Sequence, residues 1–496
     1  MKEDTIIIGG GIGGLSSGIR LLNKGYKVTL VEKNKKVGGK INIIEKDGFK
    51  FDLTASILMT PQIYTDIFEY VGKDYKDYFK IYKLDPIYKV FYYDNTCYKF
   101  YSNTNKMINE LESLEKGLSV DFYKFFSKSY EKYFLSKEKI LNQPMINLKE
   151  IMNFSFIKTM LQINPIHSTY KYLNNLISND KLKNYLIFTS MYIGVNPYEN
   201  SNIYTLIPAI SHLYGLWYIE GGLYKYVESL EKLFLDLGGK IITNCEVEKI
   251  LIENNKVQGV KTENKIINCE LIICNADYPY AINNLIDNKF IEKKYFKNKL
   301  SKIDYSCSVF ILYLGLDKFY NNLNVHNIYI SKNFRDSIEN VFEGKIPMDP
   351  SLYIYYPGAV DDTFRTNNNS SMNIMLRVPN LSFNNINYDD NQIKILKKYI
   401  LNNIKNIKEL EDIEKHIIYE DYLTPIDLKN EFNTYYGNAF GISHKVSQSA
   451  YFRPHMKSKK VKGLYFINSS THPGNGVSVI IDGSKVLCQI IENSKK

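Results

Sequence analysis

The sequence predicts an α/β protein. A doubly wound, dinucleotide-binding sheet is interrupted by a block of helices and joined to a second unit built on a mixed sheet. Three features say so. An apolar run, Thr5-Ile6-Ile7-Ile8, leads into Gly9-Gly10-Gly11-Ile12-Gly13-Gly14 and a helical pattern of Leu15, Ile19 and Leu22. The same alternation of strand and helix returns near residues 221–277 and again at 463–491. Between these stretches, residues 105–215 read mainly as helix and residues 300–430 mainly as strand.

The opening stretch is the most specific. After the helix stops near Gly25, Val28-Thr29-Leu30-Val31 forms a second strand ending in Glu32, eighteen positions after Gly14. Strand, glycine turn, helix, strand and acid is the order a dinucleotide site needs. Gly9 makes the turn, Gly11 lets the backbone approach a pyrophosphate, and Gly14 lets the helix lie close to the strand. Glu32 is set to hydrogen-bond an adenosine ribose. The helix N-terminus offers N–H groups and the positive end of its dipole to the phosphates. Val37-Gly38-Gly39-Lys40 then suits a loop wrapping the pyrophosphate from outside.

Further along, residues 49–53 alternate as a short strand and 64–71 read as a helix. Helices are expected over 120–134 and 173–188, with breaks at Pro144, Pro165, Pro197 and Pro208. The apolar, aromatic runs 191–194, 203–207 and 213–218 suit either an ordinary helical core or a tunnel for a long apolar ligand. Gly221-Gly222 opens a helix that closes at Gly238-Gly239. The strand 240–243 follows, then a hairpin about Asn254-Asn255 and a buried strand, 271–274, leading to Asn275-Ala276-Asp277. Strands are expected at 308–314, 352–356 and 374–378, with a helix at 392–407. A strand (463–468), a loop (469–476) and a helix (477–491) end the pattern. The expected division is a discontinuous dinucleotide-binding domain (1–80, 219–285 and 455–496), a mainly helical membrane and substrate-access region (81–218), and a substrate domain with a mixed sheet (286–454).

The chain has 496 residues, 44% of them apolar and 23% charged, and a net charge of +10. That length suggests two or three domains with ample core. Lysine is spread along the chain, which suits either a solvated basic surface or attraction to an anionic membrane face. No nucleic-acid motif is present. The first apolar run belongs to the glycine motif rather than to a secretory signal, and no apolar stretch reaches the ~18 residues of a spanning helix. The six cysteines show neither CxxC nor zinc spacing, so they read as reduced cytoplasmic thiols, and no metal site is expected.

Taken together, Gly9 to Gly14 with Glu32, Gly38-Gly39-Lys40 and Phe51-Asp52 resemble the start of bacterial-type carotenoid desaturases. Thr471-His472-Pro473-Gly474-Asn475-Gly476-Val477 resembles their C-terminal signature. Between them, Tyr204 to Pro208, Gly221-Gly222, Asn275-Ala276-Asp277, Thr424-Pro425 with Asp427, Gly437 to Gly441 and Gln448 to Pro454 match in order. Ile303 to Ser308, Phe342 to Lys345 and Asp349-Pro350-Ser351 are most similar to the thirty-carbon branch, the 4,4′-diapophytoene desaturases. The resemblance implies a Rossmann-like domain holding FAD non-covalently, with contacts from Gly9, Gly11, Ile12, Gly13, Gly14, Glu32, Lys33, Gly39, Lys40, Val247, Asn275, Gly476 and Val477. It also implies a long apolar polyene substrate and a cytoplasmic enzyme held peripherally on the inner face of the cell membrane. Three positions depart from the family pattern: Thr54-Ala55 replaces Gly-Pro, Asn468-Ser469 replaces Gly-Ala, and Ser478 replaces Pro. All three are expected near the flavin ring. Lys40 for the usual Arg keeps the charge and loses the bidentate fork.

The implied reaction is desaturation: a hydride goes to the flavin, the adjacent carbon loses a proton, and catalysis rests on alignment. The catalytic residues are not legible. Arg453 and His455 are candidates near the ring or tunnel mouth, and His472 for a place close to the cofactor. With one nucleotide fold visible, electrons are expected to leave for an external acceptor, a quinone or oxygen. The alternatives are a forty-carbon phytoene desaturase, a carotene isomerase or a saturase. A further one, of another class, is a non-catalytic flavin or carotenoid carrier.

Overall fold

The computed structural model describes residues 3–54, 56–366 and 368–494. Its organising sheet has five parallel strands in the order Leu464–Phe466, Leu271–Cys274, Asp4–Ile8, Lys27–Val31, Lys240–Ile242. Three distant pieces of chain therefore build one doubly wound layer, as the pattern of apolar runs predicts. Asp4–Ile8 sits at the centre because both faces of it are covered: Ile7 packs on the helices Ile12–Asn23 and Tyr224–Asp236, Ile6 and Ile8 on the hairpin side.

Gly14 has no side chain because a Cβ there would strike the Gly9 carbonyl, so the helix lies directly on the turn. The final helix, Val477–Asn493, packs against Ile12–Asn23 in the same direction. Gly13 lies beside Ile480, the Arg20 guanidinium donates to Ser484 Oγ at 2.8 Å, and Lys24 pairs with Glu492 at 2.5 Å. Residue numbers rise together on both helices, so both N-termini open on the same side. The hairpin forms as expected: Val247–Glu253 pairs with Lys256–Thr262 across Asn254 and Asn255, both at positive φ.

The second sheet has eight strands, seven of them in the order Ile417–Leu423, Ser308–Leu316, Asn369–Val378, Leu352–Tyr355, His326–Ile330, Tyr88–Tyr92, Cys97–Phe100. Side-chain alternation divides it. Phe310, Leu312, Leu314, Met372, Ile374 and Leu376 face the helix Asp390–Ile404. Val309, Tyr313, Tyr353, Met375 and Arg377 take the other parity, toward the first sheet. The region 81–218, expected to be mainly helical, is not helical throughout. Tyr88–Tyr92 and Cys97–Phe100 belong to this sheet, Tyr88–Tyr92 running parallel to His326–Ile330, while Ile81–Lys83 pairs with Trp217–Ile219 in a separate two-stranded sheet. Two further expectations fail locally. The helix over 173–188 is two helices, Thr169–Asn174 and Asp180–Ser190, because the Asn179 side chain caps Leu182 N–H. Pro208 breaks nothing: it lies in the first turn of Leu206–Tyr214, where its missing N–H costs no helical bond.

Candidate active site

One cavity of about 500 Å³ runs from the glycine turn to the second sheet. At its polar end, Gly9, Gly11, Ile12, Gly13, Glu32, Lys33, Gly39, Lys40, Val247, Asn275, Gly476 and Val477 all line it. Gly14 does not; it is spent on the helix–strand contact. The helices Ile12–Asn23 and Val477–Asn493 both open here. Neither has a side-chain cap or an acid in its first turn. Gly11 keeps the turn open, since a Cβ there would come within 2.6 Å of Asn275 Oδ1. Gly38 N–H donates to Gly10 O at 2.8 Å and docks the Gly38–Lys40 loop on the turn.

Glu32 is buried at the end of its strand. Its Oε2 accepts from Gly10 N–H at 2.7 Å and its Oε1 from Asn34 N–H at 2.9 Å, which fixes the carboxylate at the cavity wall. Lys33 donates to Asn433 Oδ1 at 3.0 Å. Lys40 Nζ donates to Ala439 O at 2.7 Å, and burial pushes its pKa down while nearby Asp277 opposes the shift. Burial pushes the Asp277 carboxyl up, although Ser470 Oγ donates to it at 2.6 Å and Tyr435 N–H at 3.1 Å. The three departures from the family pattern fall on this cavity too: Thr54, Asn468, Ser469 and Ser478 line it, while Ala55 lies outside the described residues.

The other end is apolar. Leu206, Ile207 and Ile210 of one helix, with Ile57, Met59, Tyr64, Ile193, Val309, Met375 and Phe440, enclose it. Tyr133, Lys137 and Leu141 carry the wall out toward the 118–166 helices.

Arg453, His455 and His472, the three catalytic candidates, are not among the residues that line the cavity. Arg453 is fully buried and donates five hydrogen bonds to carbonyls, to Thr471 O and Ser469 O on one loop and to Ser443 O, Gln448 O and Ile442 O on another. It is a structural cation. Burial lowers the pKa of His472 and of His455 to about 4 each, so both are neutral. His472 Nε2 is bonded to Gln143 O at 2.8 Å. Sequence reasoning missed Arg377 and Tyr353. An arginine set among Ile374, Met375, Leu376 and Val378 at the end of its strand was the available signal.

Residues 12–480 match the model of a protein family described as flavin-containing amine oxidoreductase. The chain belongs to that family. Within this flavin-containing amine oxidoreductase family it is 32% identical over 97% of both chains to a 4,4′-diapophytoene desaturase (4,4′-diaponeurosporene-forming) of Staphylococcus haemolyticus. Identity and coverage are the same for the Staphylococcus aureus enzyme of that name. Among solved structures, cyclohexylamine oxidase from Brevibacterium oxydans superposes with a TM-score of 0.64 at 11% identity, covering 100% of both chains. An oxidoreductase from Methanosarcina mazei gives 0.63 at 17%, covering 98% of this chain and 100% of its own. These two establish the family's fold and no more.

Proposed function

We propose that the protein is a FAD-dependent desaturase that introduces double bonds into a 4,4′-diapophytoene-like polyene. One observation carries the reading: a single cavity has two uncapped helix N-termini at one end and an apolar wall at the other. FAD fits the first end. The Ile12–Asn23 N-terminus and Gly11 would hold its pyrophosphate, Glu32 its ribose, Lys33 and Val247 its adenosine side, and Gly39 with Lys40 would close over it. Asn275, beside Gly11 and Gly13, would lie at the pyrophosphate end, and Gly476 and Val477 would meet the isoalloxazine, where the second helix dipole would favour added negative charge. When bound, FAD supplies the acceptor for a hydride. The chain supplies alignment and dryness: Leu206, Ile207, Ile210, Met375 and Phe440 exclude water and hold a hydrocarbon that has no polar handle. This division of labour supports the three-part domain scheme, with strands 81–100 moved to the substrate part.

The substrate dissolves in lipid, and the surface beside the cavity suits delivery from it. Met152, Phe154, Leu161 and Ile166 are 65%, 82%, 76% and 86% exposed, interspersed with Lys149 and Lys158. Apolar residues among lysines favour the face of an anionic membrane, bound peripherally, the cytoplasmic face of the cell membrane being the reading. Among the described residues no helix is long and apolar enough to cross a membrane.

Expression in a host that makes only 4,4′-diapophytoene tests the reading. A polyene absorbing at longer wavelength is expected. Unchanged absorption with soluble, FAD-loaded protein would overturn it in favour of a carrier, and a shifted geometry without new double bonds would assign an isomerase.

A further inference from the structure

The apolar end of the cavity holds a charge that a hydrocarbon cannot use. Arg377 lies on the strand Asn369–Val378 and lines the cavity. Its guanidinium sits 4.7 Å from the Phe188 ring centroid and 5.9 Å from that of Tyr192. Among the described residues it makes no ion pair and no side-chain hydrogen bond, and its Nε is buried without a partner. The contrast with Arg453, which satisfies five carbonyls, shows that this chain can place a buried guanidinium among acceptors. Three hydroxyls, those of Tyr192, Tyr353 and Ser56, line the same cavity as Arg377. Tyr192 Oη is buried beside Tyr88 Oη, and Tyr353 Oη contacts Ser56 Oγ at 2.8 Å, with His326 Nδ1 behind it at 2.6 Å.

Arg377 is half-buried, with its Nε closed off from solvent, and a partly desolvated cation with no counter-charge is costly, aromatic faces offsetting only part of that cost. The ligand that relieves it must bring an oxygen able to carry negative charge. The polyene brings none, and once a hydride has left it, a neighbouring guanidinium repels the positive charge that remains. The reaction needs one other small molecule, the oxidant that finally receives the electrons. We infer that Arg377, with Tyr192, Tyr353 and Ser56, forms the electron-acceptor site, receiving an oxidant whose oxygen becomes anionic on reduction, a quinone carbonyl or dioxygen. Overall, substrate CH2–CH2 becomes CH=CH and the quinone's two carbonyls become hydroxyls, so two electrons and two protons leave one molecule and enter the other. With dioxygen the product is hydrogen peroxide. Arg377 holds the oxygen that carries charge before its proton arrives. The acceptor thus enters by the lipid-facing half of the cavity that also admits substrate, which makes the two compete.

The inference rests on the flavoenzyme reading, and its test leaves the polyene out. FAD-loaded protein, wild type and Arg377→Met, is titrated with menadione while flavin fluorescence is followed. It is then reduced with dithionite and mixed with menadione or with dissolved oxygen. Menadione is expected to bind at least tenfold more weakly to Arg377→Met and to reoxidise it at least tenfold more slowly, with Arg377→Lys recovering most of both. Slowing with menadione alone assigns a quinone, slowing with oxygen alone assigns dioxygen, and slowing with both assigns either source. Unchanged binding and unchanged reoxidation, with FAD retained, overturn the inference. Should Arg377→Met fail to hold FAD, Arg377→Gln is measured by the same thresholds. Failure here leaves the desaturase reading standing, because flavin reduction by polyene is a separate measurement.

Discussion

Arg453 and Asp52 show how much a buried charge depends on what surrounds it. Arg453→Met removes one donor from each of five carbonyls of two loops, so a loss on the order of 3 kcal/mol or more is expected, read as a lowered urea midpoint together with leakage of FAD. An unchanged midpoint would contradict the structural role. Asp52 is buried and accepts from Tyr355 Oη at 2.8 Å and from Leu223 N–H at 3.1 Å, tying the Tyr224–Asp236 helix to the second sheet. Burial raises its pKa from 3.8 to about 6. Because the folded value lies above the unfolded one, this contribution to stability is complete below about pH 4 and is lost as pH rises through 6, at most about 3 kcal/mol. Asp52→Asn is expected to gain on wild type across pH 4–7 in urea titrations. Parallel curves would show that the carboxyl is not perturbed. The Phe51-Asp52 pair was legible because it is local. The role of Arg453 was not, because its acceptors are backbone atoms spread from Ile442 to Thr471, and a lone arginine in sequence carries no sign of them.

At the level of elements, the site is made by two helix ends that the fold aims the same way. Ser478 lies in the first turn of Val477–Asn493 and on the cavity. Ser478→Asp would favour the helix by about 0.3–1 kcal/mol through the dipole, yet place an anion where the flavin needs the field. FAD affinity is expected to fall roughly tenfold, a cost of about 1.4 kcal/mol, with the thermal midpoint of the apoprotein held or raised. Equal FAD affinity would mean that this helix end does not face the cofactor. Both helices were readable in sequence because glycines and a period of 3.6 mark them locally. The strands Tyr88–Tyr92 and Cys97–Phe100 were not. Tyr88–Tyr92 is buried on both faces, so it shows no alternation, and its pairing with His326–Ile330 spans more than two hundred residues. The apolar half of the cavity fails for the same reason. Leu206, Val309, Tyr353 and Met375 meet only in space, and each alone looks like ordinary core.

Across the whole molecule, the proposed delivery of substrate from lipid would use two surfaces, the apolar end of the cavity and the exposed apolar residues of 148–166. Phe154→Glu with Leu161→Glu is expected to lower co-sedimentation with phosphatidylglycerol vesicles by roughly tenfold while leaving FAD content and melting unchanged, since both side chains are already in water. Retained binding would move the membrane face elsewhere. The central claim is that a hydrocarbon enters this cavity and gives up a hydride there. It is tested most directly by mixing the FAD-loaded protein anaerobically with 4,4′-diapophytoene in vesicles and following the flavin's visible absorbance. Bleaching in step with the appearance of a longer conjugated polyene is the expected result; a flavin that stays yellow while the polyene binds would contradict it.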